Sequence, residues 1–147
     1  MRHKVFGKKL NRASDQRQAL FKNLAGNFFK NSGRIKTTLA KAKAVQGLIE
    51  RMISRACRGD LASRRWLFKY FQDQNLVNRI VATFGEQFKD RPGGYLKIVR
   101  LKNRKGDNAV VVSMELVEKL KEEEKEAGPA KKTVSKDQKK PVKNEKK

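Results

Sequence analysis

The sequence predicts an α+β fold, a two-layer domain with about four helices packed on a small three-stranded mixed sheet. Three observations lead there. Apolar residues recur at helical spacing in successive blocks between residues 15 and 85. Two β-branched runs further on flank Gly106-Asp107-Asn108, as in an antiparallel hairpin. A short extended piece, Arg34-Ile35-Lys36-Thr37, separates the first two helices and can serve as a third strand, without which a hairpin is only marginally stable.

Residues 1–12 crowd Arg2, His3, Lys4, Lys8, Lys9 and Arg12 around only Val5, Phe6 and Leu10, a density of charge that prevents burial and reads as an extended basic arm. Ser14 is placed to N-cap a first helix over 15–31, with Asp15 at the positive end of its dipole and Leu20, Phe21, Leu24 and Phe28 as its stripe. Asn31-Ser32-Gly33 stops it. Thr38 is placed to cap a second helix over 39–58, which buries Val45, Leu48, Ile49, Met52, Ile53 and Ala56 and ends at Gly59. Asp60 is placed to cap a third helix over 61–71, and a fourth over 74–85 carries Leu76, Val77, Ile80, Val81 and Phe84. After the Pro92-Gly93-Gly94 break, strands run from Tyr95 to Leu101 and from Ala109 to Val117. The organisation is thus an arm (1–12), a single domain (13–117) and a charged tail (118–147). The tail has Pro129 and Pro141 and no aromatic residue, and is expected to be mostly disordered, a solubilising or loosely RNA-attracted extension.

Charge narrows the function. The 147 residues hold 37 Lys plus Arg against 15 Asp plus Glu, a net of +22. Residues 1–70 alone hold 18 basic and 3 acidic side chains, so the excess belongs to the folded part and not to the tail. A polyanion is the expected counterpart. No run approaches the ~20 apolar residues of a membrane span, and MRHKVFGKKLNR lacks the apolar core of a secretory signal. No membrane is therefore expected among the partners.

Catalytic chemistry is not expected. The one histidine, His3, lies in the arm, where nothing holds an imidazole in place. Cys57, the only cysteine, excludes a disulfide framework within the chain and reads as a quiet packed thiol near a helix C-terminus. Asp15, Glu50, Asp60, Asp73 and Glu86 show no paired spacing. No metal, cofactor or small-molecule substrate is expected.

Nucleic-acid binding has several candidates. The arm supplies Arg2, His3, Lys4, Lys8, Lys9 and Arg12 to enter folded RNA by shape and phosphate. Arg34, Lys36, Lys41 and Lys43 flank a helix N-terminus whose free amides attract phosphate. Arg64 and Arg65 begin the third helix beside Trp66, read as core with base stacking as the alternative. Arg91, Lys97, Arg100, Lys102, Arg104 and Lys105 ring the hairpin. Arg91 and Arg100 join the candidate set, and a solvated loop tip is the competing reading of that ring.

Met1-Arg2-His3-Lys4 with Leu10-Asn11-Arg12, Lys36-Thr37-Thr38-Leu39 with Ala40-Lys41-Ala42-Lys43, Arg64-Arg65, the RPGGY run Arg91 through Tyr95, and Gly106-Asp107-Asn108-Ala109 leading to Ser113-Met114-Glu115-Leu116-Val117 resemble bacterial large-subunit ribosomal protein seventeen. The blocks span residues 1–117 in order. The resemblance implies a structural component of the large ribosomal subunit, binding large-subunit rRNA near the peptide exit tunnel beside other large-subunit proteins, in a cytoplasmic bacterial or an organellar ribosome. It also implies RNA-facing roles for Arg2, His3, Lys4, Lys8, Lys9, Arg12, Lys36 and Lys41. The charged segment after Val117 extends past the common family end. The other readings weighed are a nucleoid-type or regulatory DNA-binding protein and an RNA-cleaving enzyme.

Overall fold

The computed structural model describes residues 8–118 and Leu120. The expectations for residues 1–7 and for most of the tail lie outside the described residues. Helix α1 spans Ser14–Lys30, strand β1 Arg34–Thr38, α2 Leu39–Arg58, α3 Leu61–Phe71 and α4 Gln74–Arg79. A π-helical stretch, Ile80–Gly85, continues α4, and strands β2 (Leu96–Asn103) and β3 (Val110–Leu116) follow.

Several ends have the chemistry the sequence predicts. Gly59 closes α2 in the left-handed conformation (φ 63°), and the Asp60 carboxylate accepts the Ser63 N–H at 3.0 Å at the start of α3. Asp73, read from sequence only as an unpaired acid, caps α4 in the same way, accepting from the Leu76 N–H at 3.1 Å. Two caps differ from expectation. Ala13, not Ser14, is the N-cap of α1, since Ser14 already lies inside the helix. Thr38 does precede α2, but its hydroxyl makes no cap bond; its backbone is extended as the last residue of β1, paired with Val111.

The sheet is antiparallel throughout, in the order β1-β3-β2, and this corrects the mixed sheet expected from sequence. The hairpin joins β2 to one edge of β3, and β1 fills the other edge, so the two parallel strands never touch. The register sets Ile35 and Ile98 on either side of Met114. It is held where the chain leaves α1: Gly33 has φ +77°, and its carbonyl accepts the Leu116 N–H at 3.1 Å. A Cβ at Gly33 would fall 2.6 Å from Leu116 Cγ, so this turn is closed to other residues on both conformational and steric grounds.

The helices cover one sheet face. Phe28, Phe29, Ile49, Met52, Ile53, Leu67, Ile80, Phe84, Phe88 and Met114 are fully buried in one cluster, and Leu120, assigned to the tail from sequence, packs against it. Phe29 meets Phe28 and Phe84 edge-on, with centroids 5.4 and 5.0 Å apart. The expected stripe of α1 is rotated: Ala25, Phe28 and Phe29 are buried, while Leu20, Phe21 and Leu24 lie at the margin. Gly85 lets the π-helical stretch approach α2, where a Cβ would stand 2.6 Å from the Ala56 carbonyl oxygen. From Val99 onward β2 is exposed, so the basic hairpin projects past the helical layer.

Candidate nucleic-acid interface

The cations fall into two groups according to what their own chain does with them. The first is held. Arg12 turns its guanidinium onto the Leu10 carbonyl (3.0 Å), within a turn where Leu10 and Asn11 both have positive φ. Arg34 Nε lies 2.9 Å from a Glu115 carboxylate oxygen, and Lys97 Nζ is 4.0 Å from the other. The Ser113 hydroxyl donates to Glu115 at 2.7 Å; this bond first, then the two cations, lowers the Glu115 pKa. Arg64 donates to the Gly59 carbonyl (3.3 Å) and the Asn78 amide oxygen (3.3 Å), tying the end of α2 to α4. Arg91 bonds the Gly93 carbonyl at 3.1 Å and pairs with Glu118 at 2.6 Å, while its own carbonyl accepts from the Tyr95 hydroxyl at 3.0 Å. Arg104 grips Asp107 with two guanidinium nitrogens across the hairpin loop, which draws the Asp107 carboxyl down to about 2.

The second group is free. Of the residues expected from sequence to bind RNA, Lys8, Lys9, Lys36, Lys43, Arg65 and Arg100 are exposed and make no ion pair or side-chain hydrogen bond among the described residues, as is also true of Lys102 and Lys105 in the hairpin. Strand alternation places Lys36 on the sheet face opposite the helices, together with Arg34, Lys97, Ser113 and Glu115. That face therefore shows three cations around one carboxylate. Lys41 and Lys43 both lie in the first turns of α2, but two residues apart on a helix they point different ways; Lys41 is half-buried and Lys43 exposed. Around them, the first turn of α2 holds no acid and no side-chain cap, so its positive end is electrostatically unopposed. Arg2, His3 and Lys4 lie outside the described residues.

Sequence reasoning missed an aromatic ladder. Arg55 of α2 sits over the Trp66 ring (5.5 Å), Trp66 stacks on Tyr70 (centroids 6.0 Å, 25°), and Lys22 of α1 lies over Tyr70 (5.9 Å). Trp66 is half-buried at the edge of the core rather than within it. The i,i+4 spacing of Trp66 and Tyr70 was the available signal; the two flanking cations come from other helices and left none.

Among the described residues no catalytic groups converge. Cys57 is half-buried, and burial pushes its thiol up, countered in part by Tyr95. Among the described residues no three His, Cys, Asp or Glu side chains gather as metal ligands. No helix of the described residues is long and apolar enough to cross a membrane.

Residues 20–117 match the family model described as Ribosomal protein L17. A Campylobacter jejuni protein named large ribosomal subunit protein bL17 is 45% identical over 117 residues, covering 80% of this chain and 99% of that protein. The Geobacter metallireducens protein of the same name is 39% identical over 135 residues (91% of this chain, 75% of the relative). That of Hyphomonas neptunium is 39% identical over 119 residues (81% and 84%).

Proposed function

The chain belongs to the ribosomal protein L17 family, and from that premise we propose that it serves the large ribosomal subunit by binding folded large-subunit rRNA near the peptide exit tunnel. The family supports the structural role in the subunit; the RNA contact is argued from charge. One observation carries it: of the residues expected from sequence to bind RNA, Lys8, Lys9, Lys36, Lys43, Arg65 and Arg100 are exposed and make no ion pair or side-chain hydrogen bond among the described residues of a chain with net charge +22. Concentrated positive charge opposes folding through self-repulsion unless an external anion relieves it. Phosphates do so, with release of their condensed counterions.

The two groups of cations divide the work. Arg34, Arg64, Arg91 and Arg104 rigidify the scaffold through fixed guanidinium bonds. The free cations, together with Arg2, His3 and Lys4 of the arm, take the phosphates and allow RNA helices to pack closely around the domain. The fold holds the partners in place and transforms none of them, so the role is structural and not enzymatic. Leu61 and Phe68 lie seven residues apart on one face of α3, 63% and 44% exposed, and suit contact with neighbouring large-subunit proteins. The setting is the bacterial-type ribosome, and hence the cytoplasm.

Competition binding tests the proposal. A structured large-subunit rRNA fragment should displace the protein from duplex DNA of equal length, and the protein should co-sediment with large subunits at moderate salt. A preference for DNA would replace this reading with a nucleoid-type or regulatory one.

A further inference from the structure

A cleft of about 280 Å³ opens between α1 and the junction of α3 with α4. Lys22, Gly26, Asn27 and Lys30 line it from α1, and Tyr70 and Gln72 from the other side. Lys22, Gly26 and Lys30 are four positions apart in succession, and Asn27 precedes Lys30 by three, so they line one side of the helix. The volume falls just below that of drug-sized pockets, and so suits a single small planar group with its sugar.

Two independent features say what such a group is. Tyr70 is already half of a stack with Trp66, and Lys22 sits over its ring. Lys22 and Tyr70 are both half-buried, not core, and a base stacking on the ring competes with such a cation–ring contact. Gly26 is the second feature. Glycine weakens a helix interior relative to alanine, yet a Cβ here would meet nothing within 4 Å, so no packing inside the protein requires it. Its effect is to keep the α1 wall of the cleft flat. Gly47 is equally open but lines no such cleft. The charge also fits: Lys22 and Lys30 face one acid, Asp73, whose carboxylate already accepts the Leu76 N–H as a helix cap. The side-chain amides of Asn27 and Gln72 make no hydrogen bond among the described residues.

Resting on the RNA-binding reading above, we propose that this cleft holds one unstacked nucleotide of the bound RNA. The base lies against Tyr70, Lys22 moves from the ring to a phosphate, Lys30 takes a second phosphate contact, and Asn27 and Gln72 meet the base edge.

Trp66 is the only tryptophan and stacks on Tyr70, so its fluorescence reports occupancy. Full-length protein is titrated with hexa-adenylate and with a six-unit abasic ribose-phosphate strand. Hexa-adenylate should bind roughly tenfold or more tightly than the abasic strand and shift Trp66 emission, given the usual strength of base–aromatic stacking. Gly26→Leu places a side chain in the cleft, where a Cβ meets nothing within 4 Å, and should abolish that preference. Tyr70→Leu should weaken hexa-adenylate binding about fivefold or more, and Lys22→Gln should weaken both strands. Equal affinity of the wild type for the two strands, or an intact preference in Gly26→Leu, overturns the nucleotide cleft and leaves RNA binding standing. Binding of neither strand at low salt overturns both.

Discussion

Gly85→Ala adds one methyl group where the π-helical stretch crosses α2. The new Cβ would lie 2.6 Å from the Ala56 carbonyl oxygen, 3.1 Å from its carbon and 3.7 Å from the Cys57 nitrogen. Ordinary carbon–oxygen contacts begin near ~3.3 Å, so the two segments must part by about 0.7 Å. The obstruction is main chain inside a hydrogen-bonded helix, and no side-chain rotation relieves it. Separation would also loosen Ile53, Ile80 and Phe84, all packed at or near zero exposure in the same cluster. Overpacking of this kind costs about 1–3 kcal/mol, and the upper part of that range applies because backbone must move. Replacing a helical glycine returns up to ~1 kcal/mol. The expected net loss is about 1–2 kcal/mol, a fall in Tm of roughly 5–10 °C for a domain of this size. Urea unfolding followed by circular dichroism measures it, with Gly47→Ala as the control: nothing lies within 4 Å of that Cβ, so the control should gain stability. A Gly85→Ala protein as stable as the Gly47→Ala one would refute the close-crossing argument.

Other perturbations test separate parts of the structure. Glu115 is held below the usual carboxylate range by the Ser113 hydroxyl and then by Arg34 and Lys97. A depressed carboxyl stabilises the fold above its unfolded pKa, and that contribution is lost as pH falls through the folded one. Urea midpoints should therefore drop more steeply below pH ~4.5 in the wild type than in Glu115→Gln; parallel curves would remove Glu115 from the acid limb. Lys8→Gln with Lys9→Gln should flatten the log–log salt dependence of rRNA-fragment binding by about 1.4–1.8, since each neutralised phosphate contributes ~0.7–0.9. Tm should stay constant, and an unchanged slope would take these two lysines out of the interface.

Helix positions were legible because periodicity and caps are local. Asp60 and Gly59 read correctly from single residues, since an N-cap oxygen and a left-handed glycine do their work within a few bonds. The α4 stripe of Leu76, Val77, Ile80, Val81 and Phe84 is buried as its spacing predicts, although the spacing carried no sign of the π-helical register that begins at Ile80. The stripe of α1 read less well. Which of its apolar residues reach the core depends on how far the helix runs past the sheet, and that is set by the partners of Phe28 and Phe29.

For the candidate interface, the sequence alone determined that this chain is a polycation with a compact, mostly helical body, because composition and short-range pattern survive any arrangement of the elements. Tertiary structure decided which cations remain free. Arg64 and Arg65 are neighbours in the chain, yet one braces α2 against α4 and the other faces solvent. Arg34 and Lys97, more than sixty positions apart, share a single carboxylate across β3. It also put β1 beside β3, making the sheet antiparallel, and brought Lys22, Trp66 and Arg55 from three helices into one stack. Such pairings depend on distances between elements that meet only after packing, and hydrophobic pattern fixes which face is buried without saying what neighbour lies across it.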